Sequence, residues 1–318
     1  MDFLKRLAVV LASTYIVMFM SEHVFWSKPG DGWDTILEHV TPSLMWFFYF
    51  FATYSFLCVV YWFRVRGFFA MFLAGAVFGW LIEGVAVSTT YDDLPTSISV
   101  TGLSWHALLS VGVMWYLVRR VLIEKSPVKT ALLATGIGTY WAAWGVWWWI
   151  NDGRVAPLRL WVPYTFVLTA ALILAYWILS LVPGRVFRPT KIETAIVVLY
   201  NIALFALAVV PQKPIALLVL PSLLAVVFLV LWKNRKSEDL PNAFILLEGK
   251  IPLVNLGMLL LMAVAATLLY ALLLALPFAI RTGPTIYVVE EILGFLFMAV
   301  CIIRVLARKP SSHGNTAS

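Results

Sequence analysis

Charge is what this sequence has least of. Only 12% of its 318 residues are Asp, Glu, Lys or Arg, where soluble domains carry about 25%. The complement is a 62% apolar share, more than a water-soluble fold could bury. Long runs without charge therefore point to an all-α, polytopic integral membrane protein. Cysteine is nearly absent too. Cys58 and Cys301 both fall inside apolar runs with no CxxC or Cys-His spacing. That excludes a disulfide framework and a thiolate metal centre, and both read as packing residues.

The sequence also lacks HExxH or His-x-His spacing, a P-loop and GxSxG. Paired acids in a glycosidase-like setting and a glycine-rich dinucleotide turn with its following acid are missing as well. The chemistries those motifs carry have no foothold here. No metal site is expected, and the sequence identifies no cofactor.

What is present is a series of apolar segments of spanning length, about 20 residues each. Ten are expected, at roughly 3–20, 43–63, 68–90, 102–118, 130–151, 160–182, 192–211, 214–232, 252–278 and 286–304. Lys5-Arg6 precede the first, and no small-x-small cleavage site follows it, so it reads as an uncleaved anchor. Placing the N-terminus inside puts 18 of the 23 basic residues in cytoplasmic loops. Lys28, Arg154, Arg159, Lys213 and Arg281 remain outside. This positive-inside pattern predicts N-in, C-in topology in the cytoplasmic membrane. It also explains the +7 net charge without nucleic acid as a partner.

Two connections are long. Residues 21–42 are expected outside, with Asp34 capping a short amphipathic helix over Thr35–Val40. Residues 233–251, with Lys233, Arg235 and Lys236, read as a solvated inner loop. The tail Ser311–Ser318 reads as disordered. An inverted repeat of two five-span halves finds no support, because 13 of 15 tryptophans precede residue 162. The chain reads as one membrane domain. An aromatic half, 1–164, bears the polar site, and an aliphatic scaffold half, 165–310, leads to the tail.

Ionisable groups inside spans are costly and read as functional by default. Glu83 lies fifteen residues after Phe68, about 22 Å along a helix. Gly75, Gly79 and Glu83 follow at i, i+4, i+8, so the carboxyl shares a close-packing face. His106 begins the next span, expected about 5–8 Å below the outer surface. A carboxylate on one imidazole nitrogen would leave the other as base, donor or metal ligand. Thr101 or Ser104 could cap that helix. Between the two lies Tyr91-Asp92-Asp93-Leu94-Pro95, which reads as a polar turn rather than a diphosphate motif, since no second acid follows at helical spacing.

A third element is Tyr140 to Arg154. Trp141, Trp144, Trp148 and Asp152 share a helix face and form a candidate apolar wall with a polar head. Tyr91 and Trp105 complete the expected ligand set. Glu290-Glu291 read as dipole-favoured acids of a first helical turn, with Arg281 as a possible partner. The expected function is a pocket near the non-cytoplasmic face, with Glu83 and His106 as polar centre, that binds or modifies a lipid-like or isoprenoid molecule. Alternatives are a small-solute transporter coupled through Glu83, or a membrane subunit that docks a protein partner on spans 7–9.

Overall fold

The computed structural model describes residues 2–29, 44–124, 126–147, 155–183, 187–235, 242–276 and 283–308. Among these residues the fold is helical throughout. Its long helices are α1 (Phe3–Val24), α2 (Met45–Trp62), α3 (Gly67–Ala86), α4 (Thr96–Ile123), α5 (Pro127–Trp147), α6 (Leu158–Leu181), α7 (Lys191–Val209), α8 (Ala216–Asn234), α9 (Leu253–Ala275) and α10 (Gly283–Leu306). Eight of them are long and apolar enough to cross a membrane. Helices α5 and α10, at 21 and 24 residues, are not among the eight.

Local chemistry sets several boundaries. Thr190 accepts from the Glu193 amide at 3.1 Å while the Glu193 carboxylate accepts from the Thr190 amide at 2.6 Å. This capping box satisfies two otherwise orphaned donors at the start of α7. Gly67 enters α3 at φ +71°, a conformation that costs glycine little. Pro157 precedes α6.

The centre of the bundle is α3, of which 83% is buried, against 11% for α7 and 28% for α8. The glycines explain how α3 gets there. A methyl group on Gly79 would overlap the Gly102 carbonyl oxygen, and one on Gly75 would lie 3.0 Å from the Ala107 carbonyl. Only hydrogen at these positions lets α3 and α4 approach so closely. A similar contact seats Gly138 of α5 against the Met262 carbonyl of α9. Helix α10 closes over α4 as Ser99 and Ser104 donate to the backbone carbonyls of Glu291 and Glu290 at 2.6 and 2.5 Å.

Three boundaries differ from those read off hydropathy. Helix α1 runs through Ser21, Glu22 and His23 to Val24 instead of ending at residue 20. Helix α4 starts at Thr96, six residues early, so Thr101 and Ser104 do not cap it. The Thr101 hydroxyl points to the Ser97 carbonyl at 3.5 Å and Ser104 to α10. His106 is therefore ten residues into its helix, roughly 15 Å from the start. Glu290 and Glu291 lie about two turns into α10, which begins at Gly283, and not in its first turn. Ser21, Glu22, Ser104 and Glu291, which resemble loop or cap residues in the sequence, each meet a group on a neighbouring helix.

Residues 242–251 of the connection after α8 also pack against the bundle where a solvated loop was expected. Ala243, Phe244, Leu247 and Ile251 are buried, and the Ala243 amide donates to the Val65 carbonyl at 3.0 Å. The buried Arg119 reaches across to hold the carbonyls of Gly249 at 2.9 Å and Leu247 at 3.2 Å. The expected helix over 35–40, Arg281, and the 311–318 tail lie outside the described residues.

Candidate functional site

Three helices change their winding where the polar residues sit. Backbone bonding widens from i→i+4 to i→i+5 over Phe19–Val24 of α1, Ile82–Ala86 of α3 and Val100–Val118 of α4. Such wide turns are uncommon and gather at functional sites. These three carry Ser21 and Glu22, Glu83, and His106 with Ser110. One other, Phe205–Val209, occurs among the described residues.

At the centre, the His106 Nε2 and a Glu83 Oε1 are 2.7 Å apart, with both side chains buried. The other Glu83 oxygen accepts a short hydrogen bond from the Thr89 hydroxyl. His106 Nδ1 is 2.9 Å from the Ser21 hydroxyl, which is 2.7 Å from the Ser110 hydroxyl. An ionised Glu83 only accepts, so a neutral His106 carries its proton on Nε2 and accepts at Nδ1. Donation then runs from Ser21 to His106 to Glu83, and the Ser110 hydroxyl is within reach of both the Ser21 oxygen, at 2.7 Å, and the Trp105 carbonyl, to which it donates at 3.2 Å. A carboxylate, an imidazole and a hydroxyl in that order form the arrangement by which a base draws a proton from a hydroxyl.

The second imidazole nitrogen is thus not free, as expected from sequence, but occupied by Ser21. Any proton His106 exchanges with a ligand passes through the Ser21 hydroxyl or the Glu83 carboxylate. Next to Ser21, Glu22 accepts from the Tyr49 hydroxyl at 2.7 Å. Tyr49 and Phe78 set their rings against His106, with centroids 6.4 and 5.7 Å away.

A cavity of about 280 Å³ opens over this cluster. Its floor is Ser21, Glu22, Glu83, Thr89, Thr101 and His106, and its walls are Phe25, Trp26, Met45, Ile82, Val87 and Trp105. A larger cavity of about 350 Å³ lies between α2, α3, α7 and α8, with nearly apolar walls and, among the described residues, no carboxylate or imidazole in its lining. Size alone would favour the second, but the ionisable groups are in the first.

The expected ligand residues divide. Trp105 lines the cavity, held by its indole N–H on the Met20 carbonyl at 3.0 Å. Trp144 stands behind it, its ring centroid 4.4 Å from that of Trp105 and 5.6 Å from that of Phe25, and donates to the Phe25 carbonyl at 2.7 Å. Trp141 is enclosed by Phe19, Trp161 and Tyr164 and does not reach the cavity. Tyr91 is buried outside the lining, donating to the Gly84 carbonyl at 2.9 Å, so it braces the turn after α3. Burial pushes its phenol pKa above the ordinary value. Trp148 and Asp152 lie outside the described residues. In the turn, Asp92 pairs with Lys213 at 2.6 Å, an interaction of a polar turn.

Ser21, Glu22, Tyr49 and Ser110 were not legible as site residues. The signal for Glu22 was an acid directly after an apolar run, which resembles the end of a span. Among the described residues no group of three or more His, Cys, Asp or Glu is placed to hold a metal ion. Comparison with family models, curated proteins and solved structures finds no match.

Proposed function

We propose that this chain is a ten-span, N-in, C-in protein of the cytoplasmic membrane whose cavity near the non-cytoplasmic face binds or modifies a lipid-like molecule. The observation that carries the reading is the make-up of that cavity. Its lining combines ionisable groups, the hydrogen-bonded Glu83 and His106 together with Glu22, with aromatic and aliphatic side chains. A mostly apolar recess with a few convergent polar groups is the usual form of a small-molecule site. At about 280 Å³ it has room for a headgroup and the first part of a chain. A tail would continue into the bilayer that the apolar helices imply.

In this reading Glu83 and His106 are the polar centre, and the chemistry open to them is general acid–base. His106 receives a proton through Ser21 while Glu83 holds the Nε2–H and balances the imidazolium. The test is the ligand that accompanies the protein. Full-length protein purified gently should carry a lipid-like molecule detectable by mass spectrometry. Glu83→Gln and His106→Ala should each reduce its occupancy at least about tenfold, the effect of roughly 1.4 kcal/mol. Unchanged occupancy in both folded variants would remove these residues from the site.

A further inference from the structure

Among the described residues the lining of the cavity contains two carboxylates and one imidazole, and no lysine or arginine. The acceptor roles of both carboxylates fit ionised groups: Glu83 takes His106 and Thr89, and Glu22 takes Tyr49. The imbalance extends beyond the lining. Between Arg6 and Arg119 the only basic residues are Lys28, Arg64 and Arg66. The last two join α2 to α3 at the end of the bundle away from Glu83. The remainder of that stretch holds seven acids, Glu22, Asp31, Asp34, Glu38, Glu83, Asp92 and Asp93. Lys28 lies over the Trp26 ring, 5.0 Å from its centroid, and is not part of the lining.

A lining whose described residues bring two carboxylates and no lysine or arginine into a low-dielectric recess repels an anionic headgroup and attracts a cation. The walls add to this preference. Phe25, Trp26 and Trp105 present aromatic surface, and ring faces attract ammonium groups at separations of about 6 Å or less. An inorganic cation would gain little from such walls.

We propose that the ligand of this cavity carries a cationic amine headgroup, as a lipid amine or other long-chain ammonium compound, and that Glu22 is a residue that recognises it. The inference rests on the reading of the cavity as a ligand site and narrows it. It sets aside phosphate-headed lipids and isoprenoid diphosphates, because no lysine or arginine lines the cavity among the described residues.

The experiment uses the full chain in dodecyl maltoside micelles, which carry no amine. Thermal unfolding midpoints are followed against dodecyltrimethylammonium, dodecyl phosphate and tetramethylammonium below micelle-forming concentrations. Dodecyltrimethylammonium should raise the midpoint in a saturable way and dodecyl phosphate should not. This is a demanding comparison, because the net charge of +7 favours the phosphate non-specifically. Glu22→Gln should weaken the ammonium response about tenfold, and Glu22→Asp should retain most of it. Equal or stronger stabilisation by dodecyl phosphate overturns the proposal, and so does an absent ammonium response. An ammonium response untouched in folded Glu22→Gln does the same. The wild-type comparison decides even if that variant does not fold. Tetramethylammonium separates the two layers of argument. If it binds as tightly as the long-chain compound, the cation inference stands and the lipid-like reading falls.

Discussion

Glu83 and His106 illustrate why a buried ionisable residue is safer in company. Each would be expensive alone in an apolar helix bundle, and together with Thr89 and Ser21 they leave few polar atoms without partners. Removing one member strands the others, at about 3–5 kcal/mol for a broken buried pair. Glu83→Ala and His106→Ala should therefore each destabilise strongly. The double variant should cost less than their sum, with a coupling of roughly 1–3 kcal/mol. Reversible unfolding in mixed micelles would measure that cycle, and additivity would mean that the pair is not energetically linked. The donor chain makes a second prediction. Imidazole carbon and nitrogen chemical shifts of neutral His106 should report the Nε2–H tautomer, and Ser21→Ala should relax that preference. A dominant Nδ1–H form would reverse the direction of donation.

Among the elements, α3 and α4 decide the site because their separation fixes where Glu83 meets His106. Gly79 is the tightest point, with no room for a methyl beside the Gly102 carbonyl. Gly79→Ala should force the helices apart, costing about 1–3 kcal/mol and lengthening the Glu83–His106 contact. Gly136 of α5 is the internal control, since a methyl there meets nothing within 4 Å. Gly136→Ala should be neutral or stabilise by up to about 1 kcal/mol, the helix preference of alanine. Thermal unfolding midpoints and retained ligand should separate the two variants. Equal effects would show that close approach at Gly79 does not matter. The widened turns in α1, α3 and α4 have a consequence as well. They shift side chains off the face that regular 3.6-residue winding gives, so ordinary helical spacing could not foresee that Ser21, Glu22 and Ser110 converge on the same histidine.

For the whole molecule, the proposed topology sets which face the cavity serves. In a background where the buried Cys58 and Cys301 are replaced, single cysteines at Gln212 and Lys250 should react with a membrane-impermeant thiol reagent from opposite sides. Gln212→Cys, in the turn between α7 and α8, should label in intact cells. Lys250→Cys should label only after the membrane is opened. The reverse pattern would invert the protein and place the cavity on the cytoplasmic face. The lopsided burial, from 83% in α3 to 11% in α7, fits a polar core held by the first four helices with the later ones turned largely toward lipid. Yet α10 packs on α4 through Ser99 and Ser104, so the aliphatic half is not only a lipid-facing shell.

Helical class, a bilayer environment and the close-packing glycine face with Glu83 at its end follow from the chain alone. Each depends on local composition or on spacing along one helix, and one sequence carries both. Glu83 and His106 were candidates because ionisable groups within apolar runs are rare. Their contact, the occupation of the second imidazole nitrogen by Ser21, and the entry of Glu22 and Tyr49 were decided by tertiary structure. So was the displacement of Trp141 and Trp144 from the cavity wall. Those relations join residues 85 positions apart for Ser21 and His106 and 119 apart for Phe25 and Trp144, and they depend on how helices rotate and how closely they approach. No periodicity within a single helix encodes which face of α1 meets which face of α4.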